Sequence, residues 1–222
     1  MWRPKETDNY IFLTLALVGL LVLGALARLV PDGWSNLVLK GVSVLLLLVA
    51  CLSLKTLNFR FPWGYLVIGL MIVSTAVERV TRTGWVDSIF VLLLLIFFQA
   101  AFWTVSRNVL LTGSTDVNKM IGSVAMYLLL GLSWSALFSL VLILDPNAIS
   151  GIEAQTWTDN FANTTYFSFT TITTLGYGDL LPKNEFVRVM AYLEALTGVF
   201  FMAVVVASLI SRTAIGNSSP ED

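Results

Sequence analysis

The sequence predicts an all-α membrane protein: six transmembrane helices, with a short helix and a glycine-containing loop between the fifth and sixth. Three observations carry this. The 222 residues are 57% hydrophobic and only 12% charged, and a soluble domain carries about twice that charged share. The apolar residues fall in long runs, each near the roughly 20 residues that a bilayer-spanning helix needs. Between the last two runs lies a short stretch rich in aromatic residues and threonine, followed by glycines at alternate positions.

Taken in order, Met1 to Asn9 is polar and of mixed charge, without the cleavage site of a signal peptide. The first span is expected over Tyr10 to Val30 and is broken by Pro31-Asp32-Gly33. The second covers Leu37 to Leu54, followed by a short basic loop, Lys55 to Arg60. The third runs from Trp63 to Val80 and ends in charge, and the fourth from Trp85 to Ser106. Trp34, Trp63, Trp85 and Trp103 lie near span ends, as an interfacial aromatic belt does. Arg107 to Lys119 reads as a polar connection, with a new helix starting near Ser114 or Asp116. The fifth span covers Lys119 to Leu144 and stops at Asp145-Pro146-Asn147. The sixth covers Phe186 to Ser211, and the last residues to Asp222 read as a disordered tail.

Composition narrows the function classes. A net charge of −1 suggests no nucleic-acid partner. Cys51 is the single cysteine, inside an apolar run, so no intrachain disulfide forms and the residue reads as a small buried hydrophobe. The absence of histidine removes the commonest metal ligand, the usual general base and the usual near-neutral proton switch. Inside the spans no Asp/Glu pair has metal-binding spacing. An enzyme is not expected, and no cofactor is implied.

The chemistry concentrates in Thr173-Thr174-Leu175-Gly176-Tyr177-Gly178-Asp179. A monovalent cation stripped of water needs oxygen ligands in its place, and backbone carbonyls supply them when several copies ring one axis. Aligning such carbonyls calls for residues that accept positive φ, and Gly176 and Gly178 do so without a Cβ penalty. Thr174 adds a hydroxyl at one end, and the Tyr177 ring is placed to hold the diameter.

This segment resembles the selectivity filter of potassium channels, Thr-x-Gly-Tyr-Gly-Asp, with Leu175 where Val is more usual. The preceding run, Asn160 to Ile172, is similar to the family's pore helix, opening near Asp159 as N-cap. The resemblance implies K+ as the permeant ion, bound at Thr174, Leu175, Gly176 and Tyr177, with Gly178 and Asp179 finishing the mouth. Thr170, Thr171 and Thr173 are expected to support the filter. With one filter sequence per chain, the resemblance implies a homotetramer in the lipid bilayer. Its pore loop dips in from outside, which puts both termini in the cytoplasm and the protein in the plasma membrane as a multi-pass chain.

The resemblance is specific for Lys119 to Arg212. It divides the chain into a four-helix domain, residues 1–112, a pore domain, 113–212, and a tail, 213–222. Six spans with a pore between the last two is the layout of voltage-gated potassium channels, yet no Lys or Arg lies between Arg82 and Arg107. The first four helices therefore read as a scaffold without gating charges. Glu78, Arg79, Arg82 and Asp87 read as mutually neutralising at the outer interface.

Two positions of the sixth span stand out. Many family members carry a pore-helix Glu four residues before the filter Thr, which pairs with the filter Asp. Thr170 holds that place here, so Asp179 lacks that partner. Glu194 lies about 10 Å into its helix, at filter depth. In a chain without histidine it is the best-placed proton sensor. Gly198 matches the family's hinge-glycine spacing. Met202 and Val206 follow on one face, as candidates to line the cavity below the filter. The expected function is passive, potassium-selective permeation, with a weakly selective cation channel or a non-conducting scaffold as the alternatives.

Overall fold

The computed structural model describes residues 9–26, 35–56, 62–81, 85–111, 117–153 and 157–216. Seven helices and two short strands follow in the order α1 (Asn9–Leu26), α2 (Ser35–Thr56), α3 (Pro62–Thr81), α4 (Trp85–Leu111), α5 (Val117–Leu144), β1 (Ile149–Ser150), α6 (Trp157–Ile172), β2 (Leu181–Pro182) and α7 (Glu185–Gly216). Of these, Trp85–Leu110, Val117–Leu144 and Glu185–Val205 are long and apolar enough to cross a membrane. Tyr10–Leu23 and Val38–Leu54 are shorter apolar helices.

The main core runs between α1, α2, α4 and α5, filled by Leu13, Leu17, Leu47, Phe90, Phe97, Phe98, Leu129 and Leu132 among others. These helices are apolar on nearly all sides, so Leu15, Leu45, Leu66, Leu92 and Trp103 remain exposed on the outer faces. That all-round apolarity suits a bilayer rather than water. A second cluster closes the far end of α5 against α6 and α7, through Phe138, Leu142, Ile149, Phe167, Val187 and Met190.

Several expected boundaries move. The fourth helix does not stop at Ser106 but continues to Leu111. Val105 and Val109 lie one turn apart and are both buried, so packing carries the helix through Arg107 and Asn108 despite their polarity. Val109 and Tyr10 fill the space over Gly122 of α5, where an added Cβ would come within 2.8 Å of Val109 Cγ2. Ser114 and Asp116, expected to start α5, lie outside the described residues, as do Pro31, Asp32, Gly33 and Arg60. Asp159 does not cap α6. The helix already begins at Trp157, which puts Asp159 in its first turn. The last helix runs through Gly216, four residues into the stretch expected as tail.

The charged cluster near the third connection is organised differently from the expected surface network. Lys40 of α2 is 1% exposed. Its Nζ reaches Glu78 of α3 and Asp87 of α4, each at 2.5 Å, and it lies 5.2 Å from the Phe90 ring centroid. A buried ammonium is tolerated only when paired, so this lysine fixes three helices to one another. Arg82 lies outside the described residues. Through helix alternation, the cluster sits at the bundle end that also carries the C-terminus of α5.

Candidate functional site

The segment Thr173–Asp179 hangs from the C-terminus of α6, and backbone hydrogen bonds set how it leaves. The Thr174 N–H donates to Thr171 O at 2.9 Å and the Leu175 N–H to Thr170 O at 2.9 Å. This pair of bonds is the Schellman arrangement that ends many helices, with Thr174 in the left-handed position usually taken by glycine. Its φ is 58°, a conformation costing a non-glycine residue about 1–2 kcal/mol. The Gly176 N–H donates to the same Thr170 carbonyl at 3.0 Å. The start of the segment is thereby tied to the helix end through main chain alone.

Gly176 and Gly178 have φ of 50° and 82°, the positive values expected of them. Thr174 is the third residue of this kind, which the glycine pattern does not reveal. The hydroxyls of Thr170 and Thr171 both donate back to Phe167 O, at 3.0 and 2.7 Å, and that of Thr173 to Phe169 O at 2.6 Å. These side chains bond along their own helix, and the carbonyls of Thr170 and Thr171 are what anchor the filter-like segment.

Tyr177 does not stand free. Its ring stacks on that of Tyr166, centroids 6.5 Å apart and planes 4° from parallel. The Asp179 carboxylate, close to the Tyr166 hydroxyl, holds the Tyr166 phenol above its ordinary pKa. Asp179 therefore has a polar neighbour on α6, one turn before Thr170. Residues 173–179 are all exposed in the single chain, Leu175 by 54% and Tyr177 by 69%.

Beyond the segment, Gly151 (φ 88°) passes so close to the main chain of Asp179 that a Cβ would lie 2.5 Å from its carbonyl oxygen. Strands β1 and β2 pair beside this contact, with Ile149 opposite Pro182. Asn184 then caps α7: its Oδ1 accepts the Val187 N–H at 2.9 Å, while its Nδ2 donates to Asp145 at the end of α5, 3.1 Å away. Neither Gly151 nor Asn184 was singled out from sequence, although Asn before a helical run is a legible cap signal.

Hydroxyl groups join α5 to α6. Ser139 bonds Thr164 at 2.7 Å and Ser135 bonds Thr165 at 2.9 Å, all four buried. Deeper along the same seam, Ser168 contacts Gly131 O of α5 at 2.7 Å and Glu194 Oε1 of α7 at 2.5 Å. Glu194 is fully buried. Gly198, one turn further, faces Ile172 of α6. Met202 is 53% exposed in the single chain, and Val206 lies in α7 with its side chain outside the described residues. The site thus unites Thr170 to Asp179 with Glu194 and Gly198, and leaves Met202 on an open face.

Residues 117–214 match a family described as ion channel. The match spans α5, α6 and most of α7, and leaves α1 to α4 unmatched. No curated protein and no solved structure matches the chain.

Proposed function

From the match of residues 117–214 to a family described as ion channel, we propose that the chain is one subunit of a potassium-selective channel conducting passively down the gradient. The observation that carries this reading is the geometry of Thr174 to Asp179. Three positive-φ residues at alternate positions, Thr174, Gly176 and Gly178, suit a run of carbonyls aimed at one axis. The pore helix ends directly behind that run, so its negative dipole end favours a cation there.

One chain leaves the whole segment exposed, and one segment cannot surround an ion. Four copies around an axis supply the ring, and closed rings are the usual solution for like subunits. In this arrangement α6 is a re-entrant pore helix, α5 and α7 flank it, and α1 to α4 complete six spans as a scaffold. Both termini then lie on the cytoplasmic side of the plasma membrane. A weakly selective cation pore is the second reading, favoured by Leu175 where the family more often has Val.

Purified protein in liposomes tests the proposal. A reversal potential that follows the potassium gradient in mixed potassium and sodium is expected, together with a native mass of four chains. A reversal potential set equally by both ions supports the second reading. Absence of flux from a correctly assembled tetramer overturns both.

A further inference from the structure

We propose that Glu194 positions the pore helix as a hydrogen-bond donor, in its neutral acid form, and that the tie between α6 and α7 depends on that one proton. The inference rests on counting hydrogens. The Ser168 Oγ lies 2.7 Å from Gly131 O and 2.5 Å from Glu194 Oε1. A serine hydroxyl owns one hydrogen, whereas a carbonyl and a carboxylate oxygen can only accept. Both contacts are of hydrogen-bond length, and an oxygen pair that close without a hydrogen between them is repulsive. Since Gly131 O has no hydrogen to give, Ser168 donates to Gly131 and the second hydrogen comes from Glu194.

The remaining oxygen agrees. Glu194 Oε2 is buried and has no hydrogen-bond partner among the described residues. As the carbonyl oxygen of an acid it is neutral and tolerates that position. As half of a carboxylate it would be a buried charge without compensation. No lysine or arginine among the described residues forms an ion pair with Glu194. On α5 the titratable neighbour is Tyr127, whose hydroxyl donates to Ile172 O at 3.2 Å. On α6 the titratable Tyr166 lies beside Asp179. On α7 the charges of Glu185 and Arg188 pair with each other at the helix start.

The bond has a mechanical role. Ser168 lies on the last turns of the pore helix, six residues before Thr174, and Glu194 lies one turn before Gly198. Donation from Glu194 through Ser168 to Gly131 therefore links α7, α6 and α5 directly behind the filter. Removing the proton leaves two acceptors, Gly131 O and Glu194 Oε1, competing for the one Ser168 hydrogen and a charge in an apolar seam, which separation of α7 from α6 would relieve. Linkage runs accordingly: the stabilisation is present at low pH and is lost as pH rises through the titration of Glu194.

Infrared spectroscopy of the full chain in lipid bilayers tests this without requiring conduction, so its failure is distinct from failure of the channel reading. At neutral pH the parent spectrum is expected to contain the carbonyl stretch of a buried, hydrogen-bonded carboxylic acid, absent from Glu194→Gln. A parent spectrum with carboxylate bands only overturns the proposal. Melting across a pH series gives the second readout. The parent midpoint should fall toward alkaline pH and that of Glu194→Gln, whose amide still donates, should stay level; identical profiles overturn it. If Glu194→Gln does not assemble, Ser168→Ala serves instead. The acid then loses its acceptor and its carbonyl stretch should move to higher frequency, whereas an unmoved band contradicts donation to Ser168.

Discussion

The α-carbon of Gly198 lies against the carbonyl oxygen of Ile172, the last residue of α6. A Cβ at Gly198 would overlap that oxygen and approach Ile172 Cγ1 to 2.8 Å. Tyr127 donates to the same carbonyl from the other side. The end of the pore helix is therefore seated between α5 and α7, two residues before Thr174. Family resemblance casts Gly198 as a hinge, and the contact gives it a packing reason to be glycine.

Gly198→Ala is expected to destabilise the assembly and disturb conduction. Alanine gains up to about 1 kcal/mol of helix propensity. Overpacking a tight contact costs about 1–3 kcal/mol, and the obstacle here is backbone, which cannot rotate aside as a side chain can. Thermal melting of the purified protein should show a lower midpoint, and liposome flux should change with it. A variant with unchanged midpoint and flux would show that α7 and α6 separate freely at this point.

Tyr166 and Tyr177 separate two contributions to the filter's shape. Tyr166→Phe keeps the stacked rings but removes the hydroxyl beside Asp179. Tyr177→Asp removes the stack itself. Weaker discrimination of potassium from sodium is expected in both, and the larger loss in Tyr177→Asp, because the ring holds the diameter directly. Reversal potentials in mixed gradients measure this, and parental values for Tyr177→Asp would refute its assigned role.

Lys40 should prove a structural residue of the four-helix domain. Lys40→Met leaves Glu78 and Asp87 without their cation, and breaking a buried ion pair costs about 3–5 kcal/mol. The melting midpoint should fall. Adding Glu78→Gln and Asp87→Asn to the same chain should recover much of the loss, because no uncompensated charge then remains. Failure of the triple variant to recover would mean that the lysine stem, packed over Phe90, matters more than its charge.

What the sequence made legible follows from how local each signal is. The positive φ of Gly176 and Gly178 and the helices over the long apolar runs are encoded in neighbouring residues, and these features are present although several helix ends moved. Contacts between distant residues left no such pattern. Lys40 reads as an ordinary loop-proximal lysine until α3 and α4 bring Glu78 and Asp87 to it, 38 and 47 residues away. Asp179 looks isolated while only position 170 is considered, and its polar neighbour is Tyr166. Thr174 takes a glycine-like φ because the Schellman bonds of α6 impose it. The extension of α4 to Leu111 was hidden for the same reason. Arg107 and Asn108 signal a loop, and burial of Val105 and Val109 overrides them.

Voltage dependence offers the last test, and it bears on α4. A charge moved through a membrane potential contributes roughly 2.3 kcal/mol per 100 mV, so steep gating needs several charges per subunit. Between Arg82 and Arg107 the sequence contains no lysine or arginine. The charged residue within that stretch, Asp87, is held by Lys40 at one end of the helix. The middle of α4 packs Phe90, Phe97 and Phe98 into the core, which fixes the helix rather than letting it slide. Currents recorded over a range of potentials should therefore show shallow dependence, arising from ions moving in the filter. Steep activation that is abolished by substitutions within α4 would contradict this and require Asp87 or Arg107, the charged residues near its two ends, to move through the field.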